Sequence, residues 1–468
     1  MTTTAPNSVP LTAKTPTQVV AGAREAFRSG VTRPLEWRRQ QLERLKAMLI
    51  DHEQDFLDAL KADLGKPAVE GYVTDIAFVL GEIDDMLKNL EKWNRPLKVK
   101  SPIVAQPAKS RRIPEPLGVV LVIAPWNYPI QLLLVPVAGA IAAGNAVVMK
   151  PSEVSQKTSE TLARLVPRYL DNDAVVLVEG GVDETTELLA QHFDHIFYTG
   201  NGTVGRIVMS AAAKNLTPVT LELGGKSPVI IDSSAKLKVA ARRVAWGKWM
   251  NAGQTCIAPD YVLLTEDVHD DFIDQLASAI RSFYGSDPQK SESYGRIVSD
   301  RHFNRLRALM SGGQVVIGGR TDSADRFIEP TVLTNVDVSA AIMNEEIFGP
   351  ILPIVKVKSL DDAIEFVNAR PHPLALYVFA ESDIAIDAVI ERTTAGGVTV
   401  NGTIMHITNP NLPFGGIGES GMGSYHGETS VRLFQHLKPV LRRSTKMDPS
   451  LPYPPYNARK AKIFRKVL

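Results

Sequence analysis

The sequence predicts an α/β protein: two units of alternating strand and helix, with a small β arm. Three observations carry this. From Leu117 onward, short β-branched apolar runs alternate with helix-forming segments, the pattern of a parallel sheet covered on both faces. The alternation pauses at Gly224-Gly225 and then resumes, so this glycine pair reads as a hinge between two units. Ahead of both, Lys98 to Pro116 drops helical period and alternates basic, apolar and proline residues, as an exposed arm would.

The bulk numbers set the limits. A chain of 468 residues, 44% apolar and 22% charged, is an ordinary soluble globular protein of two or three domains. A net charge of +1 gives no broad attraction to nucleic acid. The single cysteine, Cys256, excludes an intrachain disulfide and a cysteine-based zinc cluster, and no metal is expected. It fits a reducing compartment, and a cytoplasmic location is expected.

In chain order, residues 1–15 read as disordered, without the apolar core of a signal peptide. Helices follow at Gln18 to Arg28 and Leu35 to about Leu60, rich in good helix formers. Tyr72, Ile76, Val79, Ile83, Leu87 and Leu90 recur every three or four residues and mark one buried helix face. This front section reads as scaffold. The arm can then pair with a partner subunit's edge strand.

From Leu117 to Met149 the chain is apolar enough to raise a membrane span. Pro125, Asn127, Pro129 and Pro136 interrupt it, so a buried strand, loop, helix and second strand are expected, with no integral membrane segment. Further strands are expected at Ala174–Val178, His195–Tyr198, Val219–Leu221 and Val229–Ile231, with helices between them. The second unit has a helix from about Leu237 to Trp249, a strand near Tyr261–Leu264 and a helix at Asp271–Phe283. Its later strands lie near Ile351–Val357, Ala375–Phe379 and Gly397–Asn401. The glycine-rich run Phe414 to Gly423 is a loop, mobile or wrapped on a ligand. The basic end (Arg459, Lys460, Lys462, Arg465, Lys466) reads as a solvated tail.

Three stretches carry chemistry. Asn251-Ala252-Gly253-Gln254-Thr255-Cys256 holds the thiol, Glu222-Leu223-Gly224-Gly225-Lys226 a carboxylate, and Pro125-Trp126-Asn127-Tyr128-Pro129 a side-chain amide. Thiol, base and amide donor are the parts of a covalent acyl-transfer site. A lone cysteine is otherwise a small buried apolar residue.

Gly200-Asn201-Gly202-Thr203-Val204-Gly205 fits a dinucleotide fingerprint, after a candidate strand and before a candidate helix. Glu222 lies near the offset of the fingerprint's ribose-binding acid, but its Glu-Leu-Gly-Gly turn favours the base. Lys150-Pro151-Ser152-Glu153 is the better ribose site; it can also start a helix with Ser152 as N-cap.

These pieces, with Tyr198-Thr199-Gly200-Asn201, Glu345-Glu346-Ile347-Phe348-Gly349-Pro350 and Pro413-Phe414-Gly415-Gly416, run in the order of the aldehyde dehydrogenases. The chain resembles that family from about residue 20 to 440. Thr32 to Glu36, His406-Ile407-Thr408, Gly421 to Gly427 and Tyr453-Pro454-Pro455-Tyr456 resemble the class 3 branch, the fatty and aromatic aldehyde dehydrogenases.

The resemblance implies a Rossmann-like cofactor domain, a second α/β catalytic domain and a β oligomerisation arm. The boundaries expected are 1–97 (helical front of the cofactor domain), 98–116 (arm) and 117–223 (NAD(P)-binding core). The catalytic domain is 224–414, the return to the cofactor and oligomerisation region 415–445, and the tail 446–468. It also implies a homodimer that uses NAD or NADP and takes a small-molecule aldehyde. Some class 3 relatives carry a C-terminal membrane anchor; none is seen here, so a soluble form is expected.

By the family pattern Cys256 attacks the aldehyde, while Asn127 and the Cys256 backbone N–H hold the oxyanion. Hydride leaves to the nicotinamide, and Glu222 activates water against the thioester. Glu346 and Phe348 hold the nicotinamide ribose and ring, and Lys150 and Glu153 the adenosine ribose. Gly200, Asn201 and Gly205 shape the turn over the pyrophosphate, and Trp126 packs near cofactor or substrate. His406 lines the substrate entrance or is structural, the second being favoured. Two alternatives stand beside this: a CoA-acylating semialdehyde dehydrogenase, which the base Glu222 disfavours, and a non-catalytic binding or structural protein on the same fold.

Overall fold

The computed structural model describes residues 14–467. The expected disorder of residues 1–15 thus falls mainly on residues 1–13, outside the described residues. Thr15 already caps the first helix, Pro16–Ser29: its hydroxyl accepts from Gln18 N at 3.3 Å and its N–H donates to Gln18 Oε1 at 3.0 Å.

The span Leu35 to Leu60 is two helices, Leu35–Asp51 and Glu53–Leu64. His52 breaks it with φ −121° and pairs its ring with Asp55 at 3.0 Å. A four-residue helix and a π-helical turn, Tyr72–Ala77, then lead into the helix Phe78–Asn94.

The first sheet has six strands in the order Gly421–Met422, Val219–Glu222, His195–Thr199, Val119–Ile123, Ala146–Lys150 and Val175–Leu177. All neighbours are parallel except the short Gly421–Met422 edge. The four central strands are nearly fully buried, which explains their unbroken apolar runs. The helix Gln131–Ala143 is buried at every residue. Its apolar length serves a protein core, against the helices Phe78–Asn94 and Gly427–Leu433. Among the described residues no helix is long and apolar enough to cross a membrane.

The second sheet has seven strands: Gln314–Ile317, Thr331–Thr334, Ile351–Val357, Tyr261–Thr265, Pro228–Ile231, Ala375–Phe379 and Gly397–Val400. Sequence patterning missed the first two and the helices Asp300–Leu309, Leu360–Asn368 and Asp383–Arg392. The strand Gln314–Ile317 is an edge whose side chains are largely exposed although three of them, Val315, Val316 and Ile317, are β-branched.

The arm is a three-stranded antiparallel sheet, Leu97–Val99, Ala108–Pro116 and Gln435–Arg443. One edge of Ala108–Pro116 is therefore taken by this chain's own return strand, over nine residues from Gln435↔Pro116 to Arg443↔Ala108. The glycine-rich run also has a fixed path. Gly421 pairs with Glu222, and a Cβ at Gly416 would meet Ser420 O at 2.1 Å, so the segment wraps the end of the first sheet.

One local expectation fails. Ser152 is not a helix N-cap; the helix is Gln156–Tyr169, and Ser152 Oγ accepts from Val154 N within a turn. Asp63, from the front helices, does the capping: its carboxylate accepts from Lys157 N (2.9 Å) and Thr158 N (2.8 Å).

Candidate active site

Glu222 ends the strand Val219–Glu222, at the carboxyl edge of the first sheet, where open α/β sheets place their sites. Its side chain is buried, and neither carboxylate oxygen has a hydrogen-bond partner among the described residues. Burial alone pushes its carboxyl well above the ordinary 4.5. A buried carboxylate without a donor is costly, so the group holds a proton more tightly than an exposed acid does.

Cys256 follows a strained turn. Asn251 (φ 51°), Ala252 (φ 51°) and Gly253 (φ 76°) are all left-handed, two of them with side chains. A Cβ at Gly253 would lie 2.3 Å from Gly349 O, so only glycine fits there. Cys256 itself is half-buried, and its thiol is pushed up to about 12, first by burial and then by the charges of Glu346 and Glu222. The backbone N–H groups of Cys256 and Ile257 pull the other way.

Asn127 is buried beside this turn, its Nδ2 donating to Gln254 O at 3.0 Å. Its carbonyl accepts from Asn251 Nδ2 (2.9 Å) and from Lys66 Nζ (3.0 Å). Gln254 clamps the turn, donating to Asn251 O (3.0 Å) and Arg296 O (2.9 Å) and accepting from Val298 N (3.0 Å). Tyr128 OH and Thr255 Oγ1 share a hydrogen bond of 2.6 Å.

The Glu345-to-Pro350 segment closes over the hinge. A Cβ at Gly224 would lie 1.9 Å from Glu346 Oε2, so the carboxylate rests where only glycine allows it. Glu346 Oε1 is buried without a partner, and burial, then Asp260, raises the carboxyl to about 8. Lys226 bonds Asp260 (2.7 Å), Ile342 O (2.8 Å) and Glu345 O (2.9 Å), while Asp260 takes Ile347 N at 3.1 Å. Arg305 adds bonds to Glu346 O and Ile347 O at 3.2 and 2.6 Å. Phe348, at φ 50°, meets Trp126 edge to face with centroids 5.4 Å apart. His302 packs on the same indole at 5.1 Å.

The remaining predicted cofactor residues lie at or just past the carboxyl ends of first-sheet strands. Lys150 is buried, with Nζ 3.7 Å from Glu153 and 2.7 Å from Pro151 O. Burial lowers its ammonium below the ordinary value. Asn201 caps the helix Gly202–Ala213 by accepting from Val204 N at 3.0 Å. A Cβ at Gly200 would strike the Tyr198 hydroxyl at 2.3 Å, and one at Gly205 would strike Leu223 at 2.8 Å, so either substitution would push a neighbouring side chain aside. His406 is a packing residue: its Nδ1 bonds Thr399 Oγ1 at 2.9 Å, it stacks on Phe414, and burial holds its ring down to about 4.

The structure thus brings Glu222 and Glu346 within electrostatic reach of the Cys256 thiol and ties Asn127 to the turn before it. The model of the aldehyde dehydrogenase family matches residues 8–440. The chain belongs to the aldehyde dehydrogenase family. It is 51% identical over 443 residues to aldehyde dehydrogenase family 3 member A2 of Macaca fascicularis, covering 94% of this chain and 91% of the relative. It is 50% identical over 444 residues to the dimeric NADP-preferring aldehyde dehydrogenase of Canis lupus familiaris, covering 94% and 98%. The solved structure of Staphylococcus aureus AldH in a substrate-bound state superposes with a TM-score of 0.95 at 44% identity, covering 97% of this chain and 99% of that one. This aldehyde dehydrogenase is therefore similar to family 3 members along nearly its whole length.

Sequence reasoning missed several contributors to the site. Lys66, Glu70 and Asp75 sat in a section read as scaffold, and Asp260, Arg305 and His302 lay outside every motif. Lys226 closed the Glu222 motif without a role of its own; the others come from separate segments, and no spacing in the chain marks such a meeting.

Proposed function

We propose that this enzyme oxidises aldehydes to carboxylic acids through a thioester on Cys256, which water then cleaves. The observation that carries this reading is Glu222: a buried carboxyl, free of any donor, in the electrostatic field of the only thiol.

Cys256 gives up its thiol proton to solvent, and the thiolate Sγ adds to the carbonyl carbon. The oxyanion that forms is met by Asn127 Nδ2, which gives up its bond to Gln254 O, and by the Cys256 N–H. Glu222 takes a proton from the water that attacks the thioester. Its high proton affinity suits this role, and its burial keeps bulk water from the acyl group.

The chain's donors fit a nicotinamide dinucleotide. Glu346 Oε1 is an orphaned buried acceptor for a ribose hydroxyl, Lys150 and Glu153 form a second hydroxyl-binding pair, and the glycine-flanked N-terminus of Gly202–Ala213 suits a pyrophosphate. Trp126 and Phe348, packed edge to face, offer an apolar surface for the nicotinamide ring. The bound dinucleotide supplies the hydride acceptor that the oxidation requires. NAD or NADP serves, as the name of the canine relative supports for NADP.

Medium- to long-chain aliphatic or aromatic aldehydes are the proposed substrates, and a homodimer is the proposed assembly, as the canine relative's name supports. We assign residues 117–223 to the cofactor domain, 224–414 to the catalytic domain and the 98–116 arm to oligomerisation, with a cytoplasmic setting consistent with the lone thiol. The test is NAD(P)H formation across acetaldehyde, decanal and benzaldehyde, with and without CoA. CoA-independent turnover, fastest with the larger aldehydes, is expected; turnover only with CoA would overturn the hydrolytic step.

A further inference from the structure

The front section, residues 66–75, meets both catalytic loops from below. Lys66 and Asp75 form an ion pair of 2.8 Å, and both side chains are fully buried. The Lys66 ammonium has three contacts: Asp75 Oδ2, the Asn127 carbonyl at 3.0 Å, and the face of the Tyr128 ring at 4.1 Å from its centroid. Asp75 Oδ1 in turn accepts from Ile130 N (3.2 Å) and Gln131 N (3.4 Å), fixing the start of the helix that follows the Asn127 loop. Glu70 Oε1 accepts from Asn251 N at 2.8 Å and so holds the left-handed turn before Cys256.

We infer that Lys66 is a positioning residue for oxyanion stabilisation, acting through the Asn127 carbonyl and through Tyr128. Both branches end at reacting groups. The first passes from Lys66 to the Asn127 backbone, which sets where the Asn127 amide points. The second passes from Lys66 to the Tyr128 ring, whose hydroxyl bonds Thr255, the neighbour of Cys256. Asn251 Nδ2 shares the Asn127 carbonyl, so the two catalytic loops are locked to each other over the same ammonium. Burial of a charged pair is expensive, and a well-packed apolar pair would stabilise as well or better. What the ion pair adds is direction: a donor that a methylene cannot replace, aimed at one carbonyl.

This inference rests on Asn127 as the oxyanion donor proposed above. The experiment is a double-mutant cycle between Lys66 and Asn127. Lys66→Met alone would strand the Asp75 carboxylate, so the variant used is Lys66→Met/Asp75→Asn, which removes both charges and keeps an acceptor for Ile130 N and Gln131 N. Lys66→Arg is the second variant; it keeps the charge and the Asp75 pair while displacing the Asn127 carbonyl contact.

In the wild-type background each variant is expected to lower kcat by on the order of tenfold to a hundredfold, the size of effect a small misplacement at the reacting centre produces. NAD dissociation, read by quenching of intrinsic fluorescence, is expected to change less than about twofold, because the residues proposed for the riboses and the pyrophosphate lie on other segments. In an Asn127→Ala background the same substitutions are expected to cost little. Equal losses with and without Asn127, or an unchanged kcat in a folded variant, would overturn the inference. A wild type that oxidises no aldehyde would instead overturn the proposed function, so the two failures are distinguishable.

Discussion

Two buried carboxylates, Glu222 and Asp75, flank the catalytic loops and are treated in opposite ways. Asp75 has an ammonium at 2.8 Å and two backbone N–H groups. Glu222 has none of these, although it is equally deep. A fold that satisfies one acid and leaves the other bare separates two tasks. The satisfied acid holds geometry; the bare one keeps a high proton affinity that chemistry can draw on. The same contrast runs through the neighbouring sites, with Asp260 paired to Lys226 and Glu346 left with an orphan oxygen.

Substitutions should split along this line, the largest effect falling on the nucleophile. Cys256→Ala should abolish oxidation, on the order of a 10⁴-fold loss or more by analogy with other nucleophile deletions, while NAD binding and thermal stability stay near wild type. Glu222→Gln should cost on the order of 10²–10⁴-fold in steady-state turnover and should not destabilise the fold, since it replaces an unpaired acid with a neutral isostere. Asp75→Ala should do the reverse in character: about 3–5 kcal/mol of stability lost by denaturant unfolding, because Lys66 is left as an unpaired buried charge. Similar unfolding midpoints for Glu222→Gln and Asp75→Ala would break the comparison.

A smaller effect tests it through pH. Glu222 has its folded value raised above 4.5 by burial. Its contribution to stability is therefore fully present below pH 4.5 and is lost as pH rises through the folded value. Wild type should lose stability in that rising window relative to Glu222→Gln, measured as the difference between their unfolding free energies across pH. The thiol, held at about 12, should alkylate with iodoacetamide at a rate that climbs about tenfold per pH unit from 7 to 9 without a plateau in the cofactor-free enzyme.

Much of this was legible in the sequence, and the reason is local. Cys256, Glu222 and Asn127 each sit beside glycine or proline at a strand or helix end, so their motifs carry both chemistry and backbone path. The central strands were legible because burial on both faces leaves continuous apolar runs such as Val119–Ile123. The edges were not. Gln314–Ile317 is largely exposed, its short run Val315-Val316-Ile317 falling outside the strand–helix alternation, and Gln435–Arg443 is basic and exposed, unlike a core strand. Lys66 and Asp75 were missed for a related reason: a lysine in the short loop after Glu53–Leu64 and an aspartate in the turn Tyr72–Ala77 read as surface charges, and only the fold shows them buried.

The account depends most on Glu222 acting after the thioester has formed. Intact mass spectrometry of Glu222→Gln, quenched after mixing with NAD and decanal, measures this directly. The account predicts a persistent acyl adduct of one equivalent on Cys256, with one equivalent of NADH released and little turnover beyond it. Steady turnover near the wild-type rate with no adduct on Cys256 would contradict it.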